Sequence, residues 1–208
     1  MNREKIQEAI KNALQNKKDR KFKQTLEMII NFKGVDFKKN RLSIQIPLPK
    51  PKGKENKIIV VADEPTLYKL KDLKLHYALK PEEISKIPLK DIEKVAKKSI
   101  FLVQPQFVAN VAKVWGKILG TKGNTIIPLV GDPIEAVNKA KNMIRYSTRG
   151  KFLPTIQIPV GDENSKIEDV LDNVEAILDE FDKKKIKQFI KSIYFKLTMS
   201  PPVKVKGE

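Results

Sequence analysis

The chain has 208 residues, enough for one large domain or two small ones. Lys and Arg outnumber Asp and Glu by 42 to 25, a formal charge of +17, and such a field favours a polyanionic partner, because each neutralised phosphate releases condensed counterions. There is no Cys, which excludes a disulfide framework, a thiolate nucleophile and a cysteine zinc site. The N-terminal Met1-Asn-Arg-Glu-Lys-Ile6 lacks the apolar run of a signal peptide. No apolar stretch approaches the roughly 20 residues needed to span a bilayer, and no basic amphipathic helix carries the aromatic anchors of a membrane-surface protein. A cytoplasmic protein without membrane contact is expected.

In chain order, Ile6, Ile10 and Leu14 recur at steps of four and predict an amphipathic helix over residues 3–16. The basic stretch Lys17–Lys21 follows. From Thr25 the period changes to two: Leu26, Met28, Ile30 and Phe32 alternate with Thr25, Glu27, Ile29 and Asn31. Residues 42–48 alternate again, so both segments read as half-buried strands, with a turn at Lys33-Gly-Val-Asp36. The segment Pro47-Leu-Pro-Lys-Pro-Lys-Gly-Lys54 is too rich in Pro and Lys for a central strand and reads as a linker.

The middle of the chain has a different pattern. Ile58–Ala62 and Ile100–Val103 are continuous apolar runs, as expected of strands buried on both faces, and Ile126–Val130 is a third run weakened by Pro128. Helical stretches near 64–73, 88–98, 105–119 and 132–143 lie between them, which predicts a parallel sheet with helices. The half-buried alternation returns with Ile156, Ile158 and Val160. A helix follows over about 166–181, with Ser165 and Glu168 spaced as a capping box. After the basic run Lys183–Lys187 comes a last strand, in which Ile193, Phe195, Leu197 and Met199 alternate with Ser192, Tyr194, Lys196 and Thr198.

The economical architecture is α/β combined with α+β, in two domains. Residues 1–55 and 152–208 form a discontinuous, split βαβ-type end domain. Residues 56–151 form an inserted, smaller, Rossmann-like α/β domain. The chain crossings near 50–56 and 149–153 would act as hinges.

Enzyme chemistry finds little support. The only His, His76, is expected to be a packed or capping residue rather than a catalytic group or metal ligand. The first buried run is followed by Asp63-Glu-Pro65, not by dinucleotide-binding glycines, and there is no P-loop. The acid pairs Glu82-Glu83 and Asp162-Glu163 read as ordinary loop or helix-start charges. No metal or cofactor is expected. Gly120-Thr-Lys-Gly123 has two readings: a clamp on a nucleic-acid backbone, or a glycine helix stop. The polar face of the end-domain sheet is more informative. Thr25 and Glu27 on the first strand and Ser192, Tyr194, Lys196 and Thr198 on the last carry groups that read ribose hydroxyls and base edges, although a solvated face has the same pattern. Arg20, Lys21 and Lys23, with Lys54 and Lys151 near the crossings, are candidates for phosphate contacts.

At Lys196-Leu-Thr-Met-Ser-Pro201 the chain resembles the family of the large-subunit ribosomal protein of the mobile side stalk, protein L-one, in its shorter archaeal form, whose signature there is T-M-G-P. Phe22 through Glu27, Leu48-Pro49 with Gly53-Lys54, Ile118-Leu-Gly120 and Asp172-Asn-Val-Glu175 match in order and spacing, so the resemblance covers nearly the whole chain. It implies the split two-domain architecture and a non-catalytic protein that is monomeric when free. The partners it implies are large-subunit ribosomal RNA, bound by the end domain, transfer RNA leaving the exit site, and the protein's own messenger RNA, whose translation it would repress. It places Phe22, Thr25, Glu27, Ser192, Thr198, Met199 and Ser200 at the RNA contact, with Glu27 bonding ribose or base or holding a nearby cation. Ser200 stands where the family has Gly, and Leu48-Pro-Lys-Pro51 where it has L-P-H-G. The alternatives are a nucleotide-using enzyme on the α/β domain and a generic basic nucleic-acid-binding protein.

Overall fold

The computed structural model describes residues 2–37, 39, 42–148 and 153–206. The structure is mixed α/β and divides into two compact units, one built from Met1–Glu55 with Asn142–Glu208 and one from Asn56–Lys141.

In the unit made from both chain ends, helix α1 (Arg3–Gln15) opens where the Asn2 side chain accepts the Glu4 N–H at 2.9 Å, satisfying an otherwise orphaned donor. Its buried stripe is Ile6, Ala9, Ile10 and Ala13. Strand β1 (Thr25–Phe32) buries every second residue. It lies between β8 (Thr155–Asp162) and β9 (Ile190–Leu197), with β10 (Val203–Lys204) beyond β9, in an antiparallel sheet of order β10-β9-β1-β8. A strand from the start of the chain is thus paired on both sides with strands from its end. Helix α6 (Ile167–Lys183) contributes Val170, Val174, Ile177 and Phe181 to one core with Leu26, Met28, Ile30, Ile10 and Phe195. Fully burying such a side chain stabilises the unit by about 1.5–3 kcal/mol.

Strand β2 (Ser43–Pro47) pairs antiparallel with β7 (Met143–Ser147), in a separate two-stranded ribbon whose Ile44, Ile46 and Ile144 join the same core. Residues 142–148 therefore belong to the end unit, and the boundary expected at 152 moves to Asn142. Strand β7 buries Ile144 and packs Tyr146 partly against the same core, and two alternating positions make too short a period to read as a strand. Residues 149–152, which hold most of the expected second hinge and the candidate Lys151, lie outside the described residues. The expected capping box is also corrected. Helix α6 has Lys166 at its N-cap and no side-chain cap. Ser165 Oγ instead accepts the Asp162 N–H at 2.8 Å and donates to its carboxylate at 3.3 Å, because the tight turn after β8 takes the hydroxyl first.

In the inserted unit, β3 (Lys57–Val61), β4 (Tyr77–Leu79), β5 (Ser99–Val103) and β6 (Ile126–Pro128) form a parallel sheet of order β4-β3-β5-β6. Every residue of β5 is buried, which is why its sequence is a continuous apolar run. The helices are α2 (Glu64–Lys69), α3 (Leu89–Ala96), α4 (Val108–Thr121) and α5 (Pro133–Lys141). Helices α3 and α4 bring Ile92, Val111, Trp115 and Leu119 onto Ile59, Val61, Phe101 and Val103, with Phe101 meeting Trp115 edge-on at 5.9 Å. Pro128 ends the edge strand β6, where a missing N–H does least harm to the ladder. Asn56 N–H donates to the Lys141 carbonyl at 2.9 Å, so the entry and exit of this unit lie side by side.

Candidate nucleic-acid interface

The face of the end-unit sheet opposite the core carries Thr25, Glu27, Ile29 and Asn31 of β1, all half-buried. Antiparallel register sets Lys196 across from Glu27, Tyr194 across from Ile29 and Ser192 across from Asn31. The Asn31 amide donates to Ser192 Oγ at 3.1 Å and accepts from Thr155 Oγ1 at 2.8 Å, locking one row across three strands. Six of the residues named from sequence thus share one sheet face or its rim, and Glu27 is faced by a cation.

At the Thr25 end of this face, the turn after β9 is fastened to the segment before β1. Thr25 N–H donates to Thr198 Oγ1 and Thr198 N–H to the Thr25 carbonyl, both at 3.1 Å. Gln24 is fully buried, and sequence reasoning missed it. Its Oε1 accepts the Met199 N–H at 3.0 Å, its Nε2 donates to the Lys18 carbonyl at 2.9 Å, and its own carbonyl accepts the Glu163 N–H at 3.0 Å. Ser200 is buried, and its hydroxyl donates to the Asn16 carbonyl at the end of α1 at 2.8 Å. The only positive-φ residue among the described non-glycines is Lys185, so Ser200 adopts no strained backbone. These bonds leave Phe22 and Met199 projecting, 50% and 52% exposed. Two half-exposed apolar side chains on a polar surface are poor core residues and good stacking partners for bases.

Among the candidate phosphate contacts, Arg20, Lys21 and Lys54 are exposed. Lys23 is engaged with the Asp162 carboxylate at 2.5 Å, and Lys17 with Glu163 at 3.4 Å. Burial alone would raise the Asp162 pKa, but the Lys23 ammonium, the Asn164 N–H and the Ser165 hydroxyl outweigh it and hold the carboxyl below its ordinary value. A depressed carboxyl stabilises the fold above the unfolded pKa of about 3.9 and ceases to do so as pH falls through the folded value. Acid titration is therefore expected to loosen this loop below about pH 4, and Asp162→Asn to abolish that part of the pH dependence of unfolding. Gly53, at φ +91°, packs on the same loop: a Cβ there would meet Asp162 Cβ at 3.0 Å and strain a left-handed backbone. Burial lowers the ammonium pKa of neighbouring Lys52 to about 8.

The matched segment Asp172–Glu175 has structural duties that its sequence did not disclose. Asn173 is fully buried, accepts the Lys50 N–H at 3.0 Å and donates to the Val160 carbonyl at 2.9 Å, pinning the first chain crossing to the end unit. Glu175 takes Arg3 at 3.0 Å, and Asp172 takes Lys50 at 3.8 Å.

Replacing Gln24 by alanine would remove the side-chain partners of the Met199 N–H and the Lys18 carbonyl, both partly buried bonds, and leave a gap where a fully buried side chain stood. The expected cost is about 1–3 kcal/mol in urea unfolding.

In the inserted unit, Asp63 and Gln104 close the carboxyl ends of the two central strands. Asp63 N–H donates to Gln104 Oε1 at 2.9 Å, and Gln104 Nε2 donates to Asp63 Oδ2 at 3.0 Å. This is the crevice where open α/β sheets hold nucleotides, and here side chains of the chain itself bond across it. Gly120–Gly123 is a helix stop: Gly123 is at φ 66°, its N–H donates to the Gly120 carbonyl at 3.2 Å, and Lys122 pairs with Glu93 at 2.8 Å. His76 packs against Tyr77 with ring centroids 4.6 Å apart and planes tilted by 58°, and burial, then Lys57, lowers its pKa. No cluster of three His, Cys, Asp or Glu able to hold a metal occurs among the described residues, and no helix among them is long and apolar enough to cross a membrane.

Comparison with known proteins adds an independent line. The sequence profile of the Ribosomal protein L1p/L10e family matches residues 11–201. "Large ribosomal subunit protein uL1" of Archaeoglobus fulgidus is 32% identical, over 99% of this chain and 99% of its own length. The uL1 of Thermofilum pendens is 37% identical, over 98% of this chain and 93% of its own, and that of Pyrococcus abyssi 33% identical, over 99% and 97%. With the match spanning the fastened turn, the sheet and the inserted unit alike, the chain belongs to the ribosomal protein L1 family of the large subunit.

Proposed function

We propose that the end unit binds a folded segment of large-subunit ribosomal RNA, with Phe22 and Met199 stacking on bases. Thr25, Glu27, Ser192, Tyr194, Lys196 and Thr198 would read riboses and base edges from the sheet face, and Arg20, Lys21, Lys54 and Lys151 would meet phosphates. Ser200 acts from beneath, holding the turn to α1. Lys23 serves first as the partner of Asp162. The observation that carries this reading is the convergence of the two ends of the chain at one fastened turn: Gln24 bonds Met199, Thr25 bonds Thr198 and Ser200 bonds Asn16, and Phe22 and Met199 stay half-exposed beside them. Such a turn presents shape, while the +17 charge supplies attraction that does not depend on sequence.

In the subunit the chain is a structural, non-catalytic component at the mobile stalk. The inserted unit, joined by two adjacent chain crossings, assists the exit of deacylated transfer RNA. A similar RNA fold in the protein's own message makes it a translational repressor. Competition binding at moderate salt tests the central part: stalk ribosomal RNA should displace labelled stalk RNA at concentrations where duplex DNA does not. Equal competition by both would reduce the protein to a generic basic binder.

A further inference from the structure

Lys185 is the one non-glycine residue with positive φ, 56°, among those described. It follows α6 as the left-handed residue of a Schellman stop: its N–H donates to the Asp182 carbonyl at 2.8 Å, and the Ile186 N–H donates to the Phe181 carbonyl at 2.9 Å. Ile186 packs on the core that holds Phe181. Helix α4 ends in the same pair of bonds, Gly123 to Gly120 at 3.2 Å and Asn124 to Leu119 at 2.8 Å, but with glycine at the left-handed position. Glycine adopts this conformation freely, and a lysine Cβ does not. The chain therefore uses the unstrained solution at one helix and a strained cation at the other.

The surroundings of Lys185 give the cation a use. Lys183, Lys184 and Lys191 are exposed, and Lys187 is half-exposed. Glu180 reaches Lys183 and Lys184 only loosely, at 4.0 and 3.9 Å. The end of a helix attracts cations by its free carbonyls, which accounts for Lys183 and Lys184 but not for lysine in a place that suits glycine. Gln188 Nε2 donates to the Lys185 carbonyl at 3.2 Å and steadies the turn. Phe189 follows, 38% exposed, and its carbonyl accepts the Lys33 N–H at 2.8 Å, which brings the exposed Lys33 beyond β1 to the same place. Cations around an exposed ring suit an RNA backbone with a base stacked between its phosphates. This cluster lies at the Phe32 end of β1, about 23 Å from the Thr25 end at roughly 3.3 Å per residue.

We infer that Lys185, with Lys33, Lys187 and Lys191 around Phe189, is a second RNA-backbone contact of the end unit, at the opposite end of the sheet from Met199. The inference rests on the RNA-binding reading above and extends it. The test uses the full chain with Lys185→Gly and Lys185→Arg, a stalk ribosomal RNA fragment as probe, a salt series and thermal unfolding. Lys185→Gly is expected to raise the melting temperature while weakening RNA binding about three- to tenfold and flattening the salt dependence by about one counterion. Lys185→Arg should keep the affinity. A merely structural residue would not move stability and affinity in opposite directions. Should Lys185→Gly melt higher yet bind with unchanged affinity and salt slope, the second contact is wrong while the Met199 surface stands. Should the wild-type chain fail to prefer stalk RNA over duplex DNA, both readings fall together.

Discussion

Replacing Thr198 and Met199 together by alanine is expected to weaken stalk RNA binding about a hundredfold, some 2.7 kcal/mol, and to leave the end unit folded. The two residues contribute differently. Met199 is 52% exposed, so its removal takes away contact surface and little core packing. Thr198 Oγ1 accepts the Thr25 N–H at 3.1 Å, so its loss also costs the fold about 0.5–1.5 kcal/mol. Met199→Ala alone should therefore lower affinity at constant melting temperature, whereas Thr198→Ala should lower both. Isothermal titration beside calorimetric melting separates the two. Normal RNA affinity in the double variant would move the contact elsewhere on the chain.

The second large effect concerns where the end unit can be cut out. A chain joining residues 1–55 to 142–208 by a short linker is expected to fold alone, since Asn56 and Lys141 are hydrogen-bonded neighbours at 2.9 Å. The same junction made at residue 152 removes β7, the partner of β2, and uncovers Ile44 and Ile46, which are 0% and 3% exposed in the whole chain. Loss of those contacts and of Ile144 should cost about 3–6 kcal/mol. Urea unfolding of the two chains checks this. Equal midpoints would mean that the β2–β7 ribbon contributes nothing to the unit.

Much of this was readable from residue periods. Strict alternation over Thr25–Phe32 and the unbroken run Ile100–Val103 reported one-sided and two-sided burial, and the strands formed as expected. Strands β7, β4 and β10 escaped because each is short or buries almost nothing, so their pairing comes from partners distant in sequence rather than from local pattern. The same limit applies to the interface. Phe22 and Met199 stood out through a resemblance and Thr198 through the polar sheet face as well, whereas Gln24, in a short segment before β1, and Asn173, on a helix, are polar residues that no local pattern singles out. Their importance lies in being fully buried with their hydrogen bonds made, and that property exists only once both ends of the chain are brought together. Ser200 looked like a departure from the family pattern. Its hydroxyl, bonded to Asn16 at 2.8 Å, gives it a function that a glycine could not perform.

Hydroxyl-radical footprinting of the full chain on large-subunit ribosomal RNA addresses the central claim most directly. Protection should fall on one contiguous folded segment of the stalk and vanish with the Thr198→Ala, Met199→Ala double variant at the same protein concentration. Scattered protection along helical RNA, unchanged in the double variant, would contradict it.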